Sequence, residues 1–182
     1  MNDLPDELLL VIYSYVQRPQ QVMTINKRFN ELFVPEEAIY KLKMNSEMNI
    51  SAFKNLYFLC INCIGISELP NCLEKLTMLD CRHNRLTSLP TCLRNLIELN
   101  CGNNQLTSLP DCLGNLIKLN CFNNQLINLP DCLGNLIELL CPDNQLISLP
   151  DCLGNLSVLD CYNNQLSSLP DNINKLTRLE CA

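Results

Sequence analysis

From Leu56 onward the chain repeats itself every twenty residues, with no gap or insertion. Leu56, Leu76, Leu96, Leu116, Leu136, Leu156 and Leu176 stand in one column of that register. A full unit reads Leu76-x-x-Leu79-x-Cys81-x-x-Asn84-x-Leu86-x-x-Leu89-Pro90-x-Cys92-Leu93, and it recurs from Leu96, Leu116, Leu136 and Leu156. The copy at Leu56 is degenerate and the one at Leu176 is a fragment. A unit this short cannot shelter its leucines alone, so it must lie against its neighbours and share one continuous core with them. Apolar residues make up 47% of the chain but aromatic residues only 5%, so that core is aliphatic.

Elementary geometry assigns the parts of the unit. A short strand alternates, so Leu79 and Cys81 point inward while Met78, Asp80 and Arg82 point outward. Asn84, Asn104, Asn124, Asn144 and Asn164 stand where the chain turns out of the strand; an amide there can bond backbone groups of adjacent coils, forming a buried polar ladder. Pro70, Pro90, Pro110, Pro130, Pro150 and Pro170 lack an amide donor and mark the return on the convex side. Gly114, Gly134 and Gly154, each followed by Asn, are expected to supply positive φ for the turn into the next strand. At roughly 4.8 Å per coil, the array makes a rod roughly 30 Å long.

This pattern resembles the leucine-rich repeat, L-x-x-L-x-L-x-x-N/C-x-L, with cysteine at the third apolar position. The short period and the Leu-Pro pair are similar to the bacterial-type subfamily, whose convex side is extended and lacks full helices. The resemblance implies a solenoid of parallel strands that binds a protein on its concave face.

Eleven cysteines fall in two columns: Cys81, Cys101, Cys121, Cys141, Cys161 and Cys181 in the strands, and Cys72, Cys92, Cys112, Cys132 and Cys152 on the return. Apart from the Cys60 and Cys63 spacing there is no Cys-x-x-Cys pair, and His83 is the lone histidine, so no metal or cofactor is expected. The columns read as small core fillers. Net charge is −6, and no Lys/Arg cluster forms a basic face, which argues against nucleic acid or an anionic membrane as partner. The apolar stretch Leu8 to Val16 follows Asp3, Asp6 and Glu7 rather than a positive segment, and is too short to span a bilayer. Free thiols in a cytoplasmic setting are therefore expected, host cytoplasm if the source is a virus or intracellular pathogen.

Residues 1–40 read as a small all-α module, 41–55 as a linker and N-terminal cap, and 56–182 as the solenoid of six repeats plus a partial seventh. Leu8, Ile12 and Val16 recur at helical spacing, as do Val22 or Ile25, Phe29 and Phe33, with Pro19 between the runs. Leu4-Pro5-Asp6-Glu7-Leu8-Leu9 through Val16, and Ile25-Asn26-Lys27-Arg28-Phe29-Asn30-Glu31-Leu32, resemble the two ends of an F-box over about thirty residues; Gln20-Gln21-Val22 replaces the family's Asp-Leu-Leu between them. That resemblance implies that Leu4, Pro5, Leu8, Ile12, Val16, Ile25 and Phe29 divide between the module's core and the surface that grips the Skp-type adaptor of a cullin-RING ubiquitin ligase. The other reading is a helical cap over the first coil, a task that Val34 to Phe53 could also perform, since Pro35-Glu36-Glu37 opens a helix there.

The outward strand positions differ from coil to coil. Phe58, Arg82, Glu98, Lys118, Phe122, Glu138, Leu140, Val158, Asp160 and Tyr162 are the candidate partner-binding residues. Phe122, Leu140, Val158 and Tyr162 are expected to cluster across three coils within a charged rim. No catalytic set appears in the sequence, so the expected role is non-enzymatic: substrate recognition for a ubiquitin ligase, or a scaffold or inhibitor whose N-terminal helices only cap the rod. The sequence stops at Ala182 within a strand, so the last coil, with Leu176, Leu179 and Cys181, is expected to present an uncovered core and edge.

Overall fold

The computed structural model describes residues 57–63 and 65–181. The F-box-like segment carrying Leu4, Pro5, Leu8, Ile12, Val16, Ile25 and Phe29, and the cap expected within 41–55, lie outside the described residues. Within them, seven three-residue strands follow one another: β1 (Phe58–Cys60), β2 (Met78–Asp80), β3 (Glu98–Asn100), β4 (Lys118–Asn120), β5 (Glu138–Leu140), β6 (Val158–Asp160) and β7 (Arg178–Glu180). They form one parallel sheet in sequence order. Each residue pairs with the one twenty positions on, Leu59 with Leu79, Leu79 with Leu99 and so through to Leu179, so sequence period and sheet register are the same fact.

The coil closes by a fixed route. After β2 to β6 the chain bends at a cysteine, whose N–H donates to the next coil, as from Cys101 to the Asn120 carbonyl at 2.8 Å. It then returns through extended segments and turns, with no helix among the described residues and with a proline in each return that bars a regular strand there. Leu79, Leu86, Leu93, Leu96 and their counterparts through Leu159 are almost completely enclosed, and the strand cysteines Cys81, Cys101, Cys121 and Cys141 lie among them. Enclosing one leucine contributes about 1.5–3 kcal/mol, and each coil repeats that contribution only because its neighbours are present on both sides.

Asn84, Asn104, Asn124 and Asn144 form the buried ladder that the sequence implies. Asn124 shows its use: Nδ2 donates to the carbonyls of Cys101 (3.1 Å) and Cys121 (3.0 Å), and Oδ1 accepts from Leu106 N at 3.0 Å. One amide thus ties its own coil to the preceding one at a bend where backbone groups would otherwise lie unpaired in the core.

The glycine expectation is corrected. Positive φ belongs to His83, Asn103, Asn123, Asp143 and Asn163, the residue just before each ladder asparagine, and not to Gly114, Gly134 or Gly154. The latter sit in turns closed by bonds such as Leu116 N to Leu113 O at 3.1 Å, with ordinary φ. Arg94 fills the same place in the preceding coil, which shows that glycine is not required there. The left-handed residue is needed instead where the chain swings out of the strand, and Asn, Asp and His tolerate it best.

Candidate protein-binding face

Three columns of outward side chains cover the strand-lined face. The first runs Met78, Glu98, Lys118, Glu138, Val158 and Arg178, the second Asp80, Asn100, Asn120, Leu140, Asp160 and Glu180, in the register set by strand pairing. The third, just past the strands, runs Arg82, Gly102, Phe122, Pro142 and Tyr162. Phe58 stands in the first column, paired with Met78. All ten residues expected on this face therefore fall in these columns, and those from Arg82 onward are exposed or half-buried while the alternate positions are enclosed.

The second column anchors the third. Asp80 Oδ1 accepts from Arg82 N (3.3 Å), Asn120 Oδ1 from Phe122 N (3.4 Å) and Asp160 Oδ1 from Tyr162 N (3.3 Å). Where residue 140 is leucine and offers no acceptor, residue 142 is proline and has no N–H to satisfy. The carboxylate and amide side chains at these positions are thus partly occupied in aiming Arg82, Phe122 and Tyr162.

Phe122 has neighbours on its N-terminal side that fix its ring. Its ring lies over Gly102, one coil toward the N-terminus, where a β-carbon would collide with it. It also meets His83 edge to face, with centroids 6.4 Å apart and planes at 77°. Pro142 separates it from Tyr162 in the column, and Tyr162 is 53% exposed. Phe122 is thus engaged with Gly102 and His83, while Leu140, Val158 and Tyr162 stand in the two coils that follow it.

Charges alternate along the first column. Lys118 lies between Glu98 and Glu138, with Nζ 3.8 Å from Glu138 Oε2, and Arg82 Nη2 meets Asp80 Oδ2 at 3.0 Å. Both pairs are solvated, so they shape recognition more than stability. At the rim, the left-handed residues form a second polar row, in which Asn163 Nδ2 donates to Asp143 Oδ1 at 2.7 Å.

Sequence reasoning passed over this rim, although the run of His, Asn and Asp before each ladder asparagine marks it. It also passed over two exposed isoleucine rows beside the strands. Ile97 and Ile137 flank half-buried Ile117 before β3, β5 and β4, while Ile127 and Ile147 follow the bend. Their signal was available, because other coils carry Thr or Ser at those places.

The cysteine columns provide no reactive centre on this face. Burial, the dominant cause, drives the thiols of Cys81, Cys101, Cys121 and Cys141 well above the ordinary range, with neighbouring groups adding to it. Cys60 is pushed up to about 11, first by burial and then by Asp80. Such thiols remain protonated and behave as small apolar fillers. Among the described residues no group of three or more His, Cys, Asp or Glu side chains gathers to hold a metal ion.

Models of leucine-rich repeats match residues 74–113, as two copies, and residues 155–176. Among solved structures, YopM from Yersinia enterocolitica is 32% identical with a TM-score of 0.60, the alignment covering 70% of this chain and 33% of that one. YopM from Yersinia pestis, a leucine-rich effector protein, is 28% identical with a TM-score of 0.56, covering 69% and 43%. A chain in the Toll–Spatzle complex of Drosophila is 29% identical with a TM-score of 0.55, covering 70% and 20%. The chain thus spans less than half the length of each of these structures. No curated protein matches it. Leucine-rich repeats are thus matched over residues 74–113 and 155–176, within a parallel-strand solenoid of the kind typical of such repeats.

Proposed function

We propose that this chain is a protein-interaction module that holds a protein partner against the three outward columns of its sheet, without catalysis of its own. The observation that carries this reading is the contrast between an invariant interior and a varied face: leucine recurs at the inward strand position while no two full coils carry the same set of three outward residues. Phe122 and Tyr162 supply rigid apolar anchors, and Arg82, Glu98, Lys118, Glu138 and Asp160 supply a charged surround, the anatomy of an interface hot spot. The effector protein YopM and the Toll–Spatzle complex, similar in this solenoid, lend support.

The test compares immobilised wild-type chain, Phe122→Ala/Tyr162→Ala, and Asp131→Asn on the exposed return as control, with bound proteins identified by mass spectrometry. A protein retained by wild type and control but lost from the double variant supports the reading. Equal retention on all three would remove the binding site from this face.

A finer reading rests on the resemblance at the N-terminus. Leu4, Pro5, Leu8, Ile12, Val16, Ile25 and Phe29 would bind a Skp-type adaptor in the cytoplasm, so that a cullin-RING ligase modifies whatever the solenoid holds. The alternative is a scaffold or inhibitor whose N-terminal helices only cap the rod. A pull-down against purified adaptor separates them: binding by the intact chain that is lost on Leu8→Lys/Ile12→Lys supports the ligase role, and no binding by either favours the scaffold.

A further inference from the structure

The second cysteine column lies on the return. Cys72 and Cys92 are buried there, but Cys112, Cys132 and Cys152 are only half-buried. Asn172 holds the next place and closes the column. Cys132 and Cys152 repeat one position in consecutive coils. A β-carbon at Gly114 would stand 3.5 Å from the Cys132 carbonyl oxygen and 4.0 Å from its Cβ, and one at Gly134 would stand 3.5 Å and 3.9 Å from the same atoms of Cys152. Those glycines leave the flank of both cysteines without a side chain, whereas Arg94 holds that place beside Cys112.

The sulfurs of the column are met by backbone N–H groups of the preceding coil. Leu73 N donates to Cys92 Sγ at 3.4 Å. Leu113 and Leu133 stand in the same relation to Cys132 and Cys152, drawing these thiols down against the larger upward push of burial. An N–H aimed at sulfur is the outer support that metal-bound thiolates use. Asp131 and Asp151, exposed and next to the two cysteines in the chain, add a negative surround that favours a cation.

Spacing decides which cation. Equivalent sulfurs of successive coils stand about 4.8 Å apart. Two metal–sulfur bonds of about 2.3 Å, laid in line, span about 4.6 Å. One ion therefore fits between the two sulfurs in linear, two-coordinate geometry. Tetrahedral zinc needs ligands on four sides, which a single file of thiols does not offer, and no group of three ligands gathers among the described residues. The paired Cys-x-x-Cys and histidine patterns that the sequence lacks are signatures of such tetrahedral sites, not of a linear one. Thiolates select soft ions, of which Cu(I) is the biological case.

We propose that Cys132 and Cys152 hold one soft monovalent ion, Cu(I), between them as a linear bis-thiolate on the return. Two S–H bonds break, two metal–sulfur bonds form and two protons pass to solvent; no electron is transferred. The site is separate from the strand-lined face and does not rest on what that face holds.

The test uses the full chain carrying Cys60→Ser/Cys63→Ser/Cys181→Ser, which removes the other thiols that are not enclosed outside this column. Reduced and free of oxygen, it is titrated with Cu(I) against a chromophoric Cu(I) chelator and should withdraw one equivalent. Adding Cys132→Ser/Cys152→Ser should weaken binding about a hundredfold or more, since loss of a mere outer partner already costs about ten- to a hundredfold. X-ray absorption at the copper edge should show two sulfur neighbours in line. Circular dichroism checks the fold of the added variant; should that variant unfold, the absorption spectrum of the parent chain decides alone. No uptake against the chelator overturns the proposal. So does equal affinity after the Cys132→Ser/Cys152→Ser change in a folded chain, or a copper ion with three or more sulfur neighbours.

Discussion

The ring of Phe122 lies against the backbone of Gly102, one coil nearer the N-terminus, in the volume that a β-carbon there would need. Gly102 has ordinary φ, so Gly102→Ala brings no backbone strain and acts by displacing the ring. Stability should change by about 1 kcal/mol or less, because the ring is only half-buried and can rotate away. Partner capture should fall to the level of Phe122→Ala, and the double variant should be no worse than either single one. A double-mutant cycle by titration checks this, and additive losses would mean that Gly102 acts on the partner directly rather than through the ring.

Asn124→Ala removes an acceptor from Leu106 N and a donor from the carbonyls of Cys101 and Cys121 in one step. Orphaning those enclosed backbone groups should cost about 2–4 kcal/mol in urea denaturation. Asn164→Ala, at a half-buried rung where water can replace the amide, should cost about 1 kcal/mol. Equal costs would show that the ladder owes nothing to burial.

Much of the rod was legible because its period is both a sequence fact and a structural one: Leu79 must stack on Leu99, so strand, register and core follow from spacing alone. The outward columns were legible for the same reason, since side chains alternate along a strand. What spacing does not encode is the lean of a long side chain. Phe122 turns toward Gly102 because that neighbour alone in its column lacks a side chain, a pairwise fit that no single repeat displays. Glycine was misread as the left-handed residue because its permissiveness says where positive φ is tolerated, not where the path of the coil demands it.

That distinction can be measured. A β-carbon at Gly114 or Gly134 would meet a cysteine carbonyl at 3.5 Å, ordinary contact, and φ is not positive there. Gly114→Ala and Gly134→Ala should therefore leave stability unchanged or raise it by about 0.5–1 kcal/mol, through loss of freedom in the unfolded chain. Asn123 carries φ of 49°, so Asn123→Val should cost about 1–2 kcal/mol while Asn123→Gly costs little. Thermal unfolding of the four variants decides it, and a destabilised Gly114→Ala would return the strain to the glycine turn.

The strand cysteines predict a loss of stability on the alkaline side. Burial holds the Cys101 and Cys121 thiols well above their ordinary range in the folded chain, whereas an unfolded thiol ionises near about pH 8.5. Below that value both states keep the proton, so these groups impose no pH dependence. Above it the unfolded chain releases protons that the folded chain retains, and unfolding becomes more favourable by about 1.4 kcal/mol per pH unit for each enclosed thiol. The decline continues toward the region near 11, where Cys60 and Cys161 titrate in the folded chain. Urea midpoints between about pH 8 and 10 should fall steeply in wild type. They should fall less steeply in Cys101→Ala/Cys121→Ala, which lacks two of the thiols responsible; an unchanged slope would place the alkaline loss on lysine and tyrosine instead.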